Sequence, residues 1–304
     1  MRLACIDIGT NTTRLLVADV DGVALRPLLE RRCFTGLGHV WRTGAIEPSA
    51  IDAVAAAVAE QAGEARASGA GEVCVVATGA VRQAANGQAL LEVVNAAGGV
   101  DARLLSGGEE ARFAFLGATR APTLRPGATR APALRDDNPV GVVDVGGGSS
   151  ELVVGSRSTG AVWSVSLAVG SALLTELHLL ADPPTADQLA MARARVQGSF
   201  AGVLAPSVAT GLAAGGSAAS LAQVVGELLD ASTLSGALAL LVAAPSREVA
   251  ASLGLDPRRA RLLPAGILVL EAAVATLGVP LRIGTGGLRE GVLLQRLSEL
   301  ESCS

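Results

Sequence analysis

Lysine and tyrosine are both absent from this chain of 304 residues, and histidine occurs only twice. Without lysine, Schiff-base chemistry and the lysine-containing phosphate loop of P-loop nucleotide hydrolases are excluded. Without tyrosine, a tyrosine nucleophile is excluded as well. Two histidines leave little material for a histidine-based triad or a multi-histidine metal site. We therefore expect a general base, where one is needed, to be a carboxylate.

The charge balance is slightly acidic, since 24 basic residues, all arginine, face 28 acidic ones and give a formal net charge of −4. A surface that binds nucleic acid is normally basic, so we expect no nucleic-acid partner. The four cysteines have no CxxC spacing. This favours reduced thiols in a cytoplasmic protein over a disulfide framework or a zinc site.

Residues 200–226 carry no charge and are long enough to span a bilayer. The segment is interrupted by Pro206 and by glycines, and it is rich in alanine, serine and threonine rather than in leucine and phenylalanine. Near the N-terminus, Asp7 and Asp19 interrupt the apolar residues, and no signal-peptide cleavage pattern follows. We therefore expect no membrane partner, and predict a buried strand, a glycine turn and a helix within 200–226.

The pattern strand, D-x-G-x-x-[ST], strand occurs twice, at residues 5–17 and again at 143–154. Strands are predicted at 3–8, 15–20, 72–77, 102–105, 140–145, 151–155 and 162–167, and the longer helices at 48–68, 107–116, 186–204, 217–229, 258–277 and 288–300. Strands that alternate with helices, together with a repeated motif, predict an α/β fold of two duplicated domains that face each other across a cleft. A tandem repeat, ATRAPTLR and ATRAPALR, fills 118–135 and marks the connection. The predicted divisions are an N-terminal domain over 1–117, an Arg/Pro-rich linker over 118–137 and a C-terminal domain over 138–304.

Each repeated hairpin could hold a phosphate and a metal ion. Glycine allows a tight turn whose N–H groups form an anion-binding nest, and the hydroxyls of Thr10, Thr12 and Ser149 could donate to phosphate oxygens. The aspartates at the two strand ends, Asp7 and Asp144, could bind Mg²⁺ directly or through water. A single copy fits an ordinary glycine hairpin equally well. Two matched copies favour a site for phosphate and magnesium.

Two further segments carry charged residues directly after predicted strands. In ATGAVRQAAN (77–86), Arg82 could reach a phosphate with a bidentate fork, although that segment alone fits better with an arginine that faces solvent. In SGGEE (106–110), Ser106 and the two glutamates fit a capped helix N-terminus. The alternative is that one of the two glutamates is a general base for a water molecule.

Together these segments resemble the exopolyphosphatase / guanosine pentaphosphate phosphohydrolase family, within the actin-like and sugar-kinase-like ATPase superfamily. The resemblance is carried by DIGTNTTRLLVADV (7–20), ATGAVRQAAN (77–86), LLSGGEEARFAFLGA (104–118), VVDVGGGSSELVVG (142–155), SVSLAVGSALLTE (164–176), LPAGILVLEAAV (263–274) and GLREGVLLQRL (287–297). It implies two ribonuclease-H-like domains, Mg²⁺ as the cofactor and hydrolysis of phosphoanhydride bonds.

The resemblance also implies a role for each matching residue. Glu110, the second glutamate of the pair, would activate or orient the attacking water. Asp144 and Glu151 would bind the metal, with Asp7 contributing from the first domain. The positions that contact phosphate in the family match Asn11, Arg82, Gly146, Gly147, Gly148 and Ser149, beside the hydroxyls of Thr10 and Thr12. Arg14 and Glu151 hold equivalent places in the two hairpins, so we interpret the metal-binding acid as present in one half only.

The expected substrate is the terminal phosphate of inorganic polyphosphate, bound in the interdomain cleft. Short chains are expected, because the sequence ends soon after GLREG and its slightly acidic balance includes no lysine. Guanosine pentaphosphate is the close alternative, and a non-hydrolytic alarmone-binding protein or a sugar or acetate kinase relative would use the same fold. A homodimer is expected. The repeat arginines Arg120, Arg125, Arg130 and Arg135 could gather an anionic chain, although an insertion without function is the simpler interpretation.

Overall fold

The computed structural model describes residues 1–22, 24–37, 39–120 and 135–302. The chain divides into two compact units. The first unit combines Met1–Leu134 with Thr285–Ser304, and the second is Arg135–Gly284. Most of the repeat, including Arg125 and Arg130, lies outside the described residues.

The first unit is one five-stranded sheet with helices. Its strands are β1 (Arg2–Ile8), β2 (Thr12–Asp21), β3 (Ala24–Phe34), β4 (Glu72–Ala77) and β5 (Ala102–Leu104). Its helices, numbered along the whole chain, are α1 (Val40–Thr43), α2 (Pro48–Ala67), α3 (Gly79–Gln83), α4 (Gly87–Gly98), α5 (Gly107–Arg120) and α12 (Leu288–Ser302).

The second unit is a six-stranded sheet with the remaining helices. Its strands are β6 (Val140–Val145), β7 (Ser150–Ser156), β8 (Gly160–Leu167), β9 (Thr210–Ala214), β10 (Leu228–Leu229) and β11 (Leu281–Ile283). Its helices are α6 (Ser171–His178), α7 (Ala186–Phe200), α8 (Gly215–Val225), α9 (Ala231–Leu241), α10 (Ser246–Leu253) and α11 (Pro257–Leu277).

The two sheets share one topology. The first has the order β3-β2-β1-β4-β5, and the second has β8-β7-β6-β9-β11 with β10 added at its edge. In both, the first three strands form an antiparallel meander, and the next strand pairs parallel to the first. This confirms the predicted α/β fold built from two duplicated ribonuclease-H-like units.

Alternating side chains of the first sheet fill two separate cores, because successive residues of a strand point to opposite faces. Ile6 and Ile8 of β1 pack with the apolar residues of α2 and α4. Leu3 and Cys5 pack on the opposite side, with residues of α5 and α12. A strand that is apolar on both faces reads as a continuous hydrophobic run, which is why β1 was predicted correctly.

The C-terminal helix α12 belongs to the first unit, whereas the predicted boundary placed all of 138–304 in the second. The reason is a close packing of α12 on α5. A Cβ on Gly291 would lie 1.9 Å from the carbonyl oxygen of Phe113, and one on Gly117 would lie 1.9 Å from that of Gly287. Only glycine permits such an approach of two helix backbones.

One helix of the described chain, Pro257–Leu277, is long and apolar enough to cross a membrane, with a mean hydropathy of 1.7 over its most apolar window. Of that window, 61% is buried inside the structure, as in the core helix of a folded unit. The helix pair Ala231–Leu241 and Ser246–Leu253 passes the same test only if its 117° bend is taken as part of one span. Within 200–226, strand β9 followed by helix α8 confirms the predicted strand, glycine turn and helix.

Candidate functional site

The two repeated hairpins have the same turn. The backbone N–H of Gly9 donates to the carbonyl of Thr12 over 3.1 Å, and that of Gly146 donates to the carbonyl of Ser149 over 3.0 Å. A Cβ would approach these carbonyl oxygens to 3.3 Å at Gly9 and 2.9 Å at Gly146. Glycine is therefore needed at these turns for close approach rather than for a positive φ, since neither residue has one.

Backbone hydrogen bonds brace both turns from outside the hairpin. The carbonyls of Thr10 and Asn11 accept bonds from the N–H groups of Leu37 and Thr35, over 2.6 and 3.0 Å. In the second unit, the carbonyl of Gly147 accepts from the first turn of α6, and a Cβ on Gly170 would lie 2.6 Å from that carbonyl. Thr10, Thr12, Gly148 and Ser149 are buried, whereas Asn11, Gly146 and Gly147 are partly exposed. The turns are thus held rigidly.

Equivalent cross-strand pairs differ in charge between the two units: an acid faces a base in the first, and two acids face each other in the second. Asp7 of β1 is the register partner of Arg14 on β2, and Asp144 of β6 is the register partner of Glu151 on β7. Residues directly opposite in an antiparallel pair project to the same face. The structure therefore confirms that Arg14 and Glu151 are equivalent, and places two carboxylates side by side in the second unit only.

Asp7 lies among charged side chains of the first unit. Burial raises the pKa of the Asp7 carboxyl above its ordinary value, and the nearby guanidiniums of Arg14 and Arg289 partly offset that rise. Its Oδ1 atom is buried and has no hydrogen-bond partner among the described residues. An acceptor left without a partner is costly, so this oxygen is suited to a water or a ligand.

Asp144 lies against the N-terminal turn of α8. Gly215, the first residue of that helix, has φ +86°, and a Cβ there would lie 2.3 Å from Oδ1 of Asp144. The absence of a side chain at Gly215 therefore creates the space that the Asp144 carboxylate fills. Glu151 is 3% exposed, and its Oε1 accepts a 2.8 Å hydrogen bond from the hydroxyl of Ser166 on β8.

The paired carboxylates of Asp144 and Glu151 fit Mg²⁺ by their chemistry. Two carboxylates directly opposite one another repel, and a divalent cation relieves that repulsion. Mg²⁺ commonly takes only one or two protein carboxylates and completes its octahedron with water and substrate phosphate. No cluster of three or more histidine, cysteine, aspartate or glutamate side chains that could hold a metal occurs in the described chain, so the residues present suit this sparse mode of binding rather than a full protein cage.

The two adjacent glutamates of α5 have different surroundings. The carboxylate of Glu109 accepts bonds from the N–H and the hydroxyl of Ser106, over 2.9 and 2.8 Å, and caps the helix. The Ser106 N–H, with the hydroxyl, lowers the pKa of Glu109. Glu110 is instead 6% exposed and forms an ion pair with Arg82. Glu109 therefore caps the N-terminus of α5, and Glu110 is the buried glutamate of the pair.

Arg82 reaches an acid rather than open solvent. Its Nη1 donates to Glu110 and, over 2.6 Å, to the carbonyl of Leu105. The side chain of Arg82 is 28% exposed. Arg82 thus lies at a half-open position, bound to an anion through the same groups that would bind phosphate.

One edge of the first sheet gathers the predicted residues of that unit. Strands β1, β4 and β5 are parallel, so their carboxyl ends meet at one edge. The Gly9 turn, Arg82 and Glu110 follow these three ends in order. The predicted residues of the second unit, Asp144, Gly146, Gly147, Gly148, Ser149 and Glu151, lie at the corresponding hairpin of the second sheet.

Three residues near these groups had no correct role assigned from the sequence. Arg289, whose Nη1 donates to the Leu15 carbonyl over 3.0 Å, and Glu290, which is 4% exposed, lie near Asp7. Both belong to the GLREG motif, which contributed to the family resemblance but did not indicate a role for either residue. Gly215 was predicted only as part of the glycine turn within 200–226, whereas in the structure it accommodates Asp144.

Comparisons with known proteins agree with the fold and identify the family. The model of the Ppx/GppA phosphatase family matches residues 16–300. Exopolyphosphatase 1 of Mycobacterium leprae is 30% identical over 317 residues, which cover 98% of this chain and 90% of that protein. The crystal structure of the Aquifex aeolicus member of the Ppx/GppA family superposes with a TM-score of 0.78 at 28% identity, over 98% of both chains. A Cytophaga hutchinsonii exopolyphosphatase gives a TM-score of 0.85 at 23% identity over 98% of both chains, which shows a shared fold. Since the family model covers nearly the whole sequence, this chain belongs to the Ppx/GppA phosphatase family.

Proposed function

We propose that this phosphoanhydride hydrolase removes the terminal phosphate of inorganic polyphosphate, with Mg²⁺ as cofactor and with a preference for short chains. The observation that carries the proposal is the ion pair between the buried Glu110 and the partly exposed Arg82, at the edge where β1, β4 and β5 end. A carboxylate and a guanidinium in contact at such an edge supply a base for water and a ligand for phosphate. The exopolyphosphatase names of the relatives support the same substrate.

Glu110 would act as the general base. In the structure its carboxylate is neutralised by Arg82, and phosphate is recognised by the same bidentate geometry as carboxylate. A terminal phosphate that binds the Arg82 guanidinium would displace the Glu110 carboxylate from it. The carboxylate could then accept a proton from water. A positioned base of this kind contributes about 10²–10⁴-fold in rate.

Asp144 and Glu151 would hold Mg²⁺, and Asp7 would contribute through its buried Oδ1, directly or through water. When bound, the ion would neutralise the charge that develops on the phosphate oxygens. The turns would bind phosphate oxygens through backbone N–H groups and short polar side chains, from Thr10, Asn11, Thr12, Gly146, Gly147, Gly148 and Ser149. Because the two glycine turns are braced, these groups would be positioned before the substrate arrives.

The charge of the chain supports the preference for short substrates. A long polyanion is held by an extended basic surface, whereas this sequence has a net charge of −4. Arg82 and the turn amides would act on a few phosphates near the chain end. We therefore expect a longer polyphosphate chain to gain no affinity beyond the length that these groups contact, and to be disfavoured by the negative net charge of the protein.

The test is phosphate release from short polyphosphate, long polyphosphate and guanosine pentaphosphate, each with Mg²⁺ and with EDTA. The proposal predicts Mg²⁺-dependent release that is fastest from short polyphosphate. Faster release from guanosine pentaphosphate would assign the nucleotide as substrate. Binding of the nucleotide without release from any of the three would indicate a non-hydrolytic binding protein and contradict the proposal.

A further inference from the structure

A row of three polar side chains crosses the second sheet. Asp144 on β6, Glu151 on β7 and Ser166 on β8 are successive register partners, so all three project to the same face. The hydroxyl of Ser166 donates to Oε1 of Glu151 over 2.8 Å. Ser166 itself lies on the exposed side of β8, while Glu151 is 3% exposed.

We infer that Ser166 is a positioning residue for Glu151, which orients this carboxylate toward a divalent cation held with Asp144. The inference rests on the proposed function, because it needs the cation. The hydroxyl that donates to Oε1 restricts rotation of the Glu151 carboxylate about its last bond. Partners of this kind behind a metal ligand typically change metal affinity by about 10–100-fold.

The bond is distinct from the neighbouring bonds that hold the fold together. Ser150, one residue before Glu151, donates its hydroxyl to the backbone carbonyl of Val169 over 2.6 Å, which ties two chain segments together. The Ser166 hydroxyl bonds a side-chain carboxylate on the adjacent strand, and β7 and β8 are already paired by their backbones. Removing it should therefore change the orientation of the acid more than the stability of the sheet.

Ser164 is a matched control for Ser166. It lies two residues earlier on β8, on the same face and also exposed, opposite Val153 instead of Glu151. Ser166→Ala and Ser164→Ala remove the same atom from equivalent backbone positions. Ser166→Thr keeps a hydroxyl and suits a strand, so it tests rescue.

The experiment titrates the full chain with Mn²⁺, a paramagnetic substitute for Mg²⁺, and follows the free ion by electron paramagnetic resonance. Glu151→Gln serves as the variant without the metal acid, and thermal unfolding of every variant is measured in parallel. We expect Ser166→Ala to raise the dissociation constant by about 10–100-fold, with Ser164→Ala and Ser166→Thr close to the wild type. We expect Ser166→Ala and Ser164→Ala to unfold at the same temperature.

The other outcomes contradict the inference, and they distinguish a failure of the Ser166 role from a failure of the metal site. Wild-type affinity in Ser166→Ala, with affinity lost in Glu151→Gln, would overturn the role of Ser166 and leave the proposed function intact. Weak binding by Ser166→Thr, or a lower unfolding temperature for Ser166→Ala than for Ser164→Ala, would assign a structural role instead. Equal binding by the wild type and Glu151→Gln, or none by either, would overturn the metal site and this inference together.

Discussion

Substitution of Gly215 by alanine tests whether Asp144 belongs to the active site. A Cβ at this position would lie 2.3 Å from Oδ1 of Asp144 and 3.0 Å from the carbonyl oxygen of Val145. The carboxylate is the mobile partner, so it must retreat by about 1 Å to reach ordinary contact distance. A displacement of about 1 Å at a reacting group can cost on the order of 10²-fold in rate.

The substitution also strains the backbone, because Gly215 has φ +86°. Alanine in a left-handed conformation costs about 1–2 kcal/mol. Gly254, the C-cap of α10, provides the control: its φ is +68°, and a Cβ there meets no described atom within 4 Å. Gly254→Ala therefore carries comparable strain without touching Asp144.

The assay measures phosphate release across a Mg²⁺ titration, together with thermal unfolding. Both variants should lose about 1–2 kcal/mol of unfolding free energy, and only Gly215→Ala should lose about 10²-fold in rate. If Gly215→Ala kept the activity of Gly254→Ala, Asp144 would have no part in the reaction.

Two further predictions follow from the first unit. Gly291→Ala should lower the unfolding free energy by about 1–3 kcal/mol or more, because its Cβ would collide with the Phe113 backbone. Gly63 lies at an exposed helix position with no described atom within 4 Å of the new Cβ, so Gly63→Ala should instead raise the unfolding free energy by about 0.5–1 kcal/mol. Calorimetry of both variants measures the difference. Because burial raises the pKa of Asp7, its contribution to stability is fully present at acid pH and is lost as pH rises through the folded pKa. Asp7→Asn should therefore gain stability relative to the wild type as pH rises above the ordinary pKa of aspartate, while it loses activity. A stability difference that is flat with pH would contradict this assignment.

The duplication was predictable because each copy has its own local sequence motif. Each D-x-G-x-x-[ST] motif connects two apolar strands, and the antiparallel hairpin follows directly from the turn between them. Aligning the two motifs was enough to predict that Arg14 and Glu151 are equivalent, and the strand registers confirm this prediction.

Strand β3 was not predicted because it lacks the signals of a buried strand. It contains Pro27 and several charged residues, and most of its side chains are partly or fully exposed. As the edge strand of its sheet, it tolerates both features. Pro27 lies where the register of β2 and β3 shifts, between Val17 and Ala18, so its missing N–H does not interrupt a regular ladder.

The remaining differences depend on contacts between distant parts of the chain. Helix α12 follows the second unit in sequence, yet its glycine contacts with α5 place it in the first. The choice between Glu109 and Glu110 is likewise invisible to composition, because the two are adjacent and chemically identical; only the family resemblance favoured Glu110. The fold separates them through the direction in which each leaves the helix, toward Ser106 or toward Arg82.

The most direct test of the account is the rate of phosphate release from short polyphosphate by Glu110→Gln, compared with Glu109→Gln. Both substitutions replace a carboxylate with its amide at neighbouring positions, and glutamine can still cap the helix at 109. If Glu110 is the general base, Glu110→Gln lowers kcat by about 10²–10⁴-fold with KM nearly unchanged, while Glu109→Gln keeps the wild-type rate. Wild-type kcat in Glu110→Gln would contradict the assignment of this glutamate as the base that activates water.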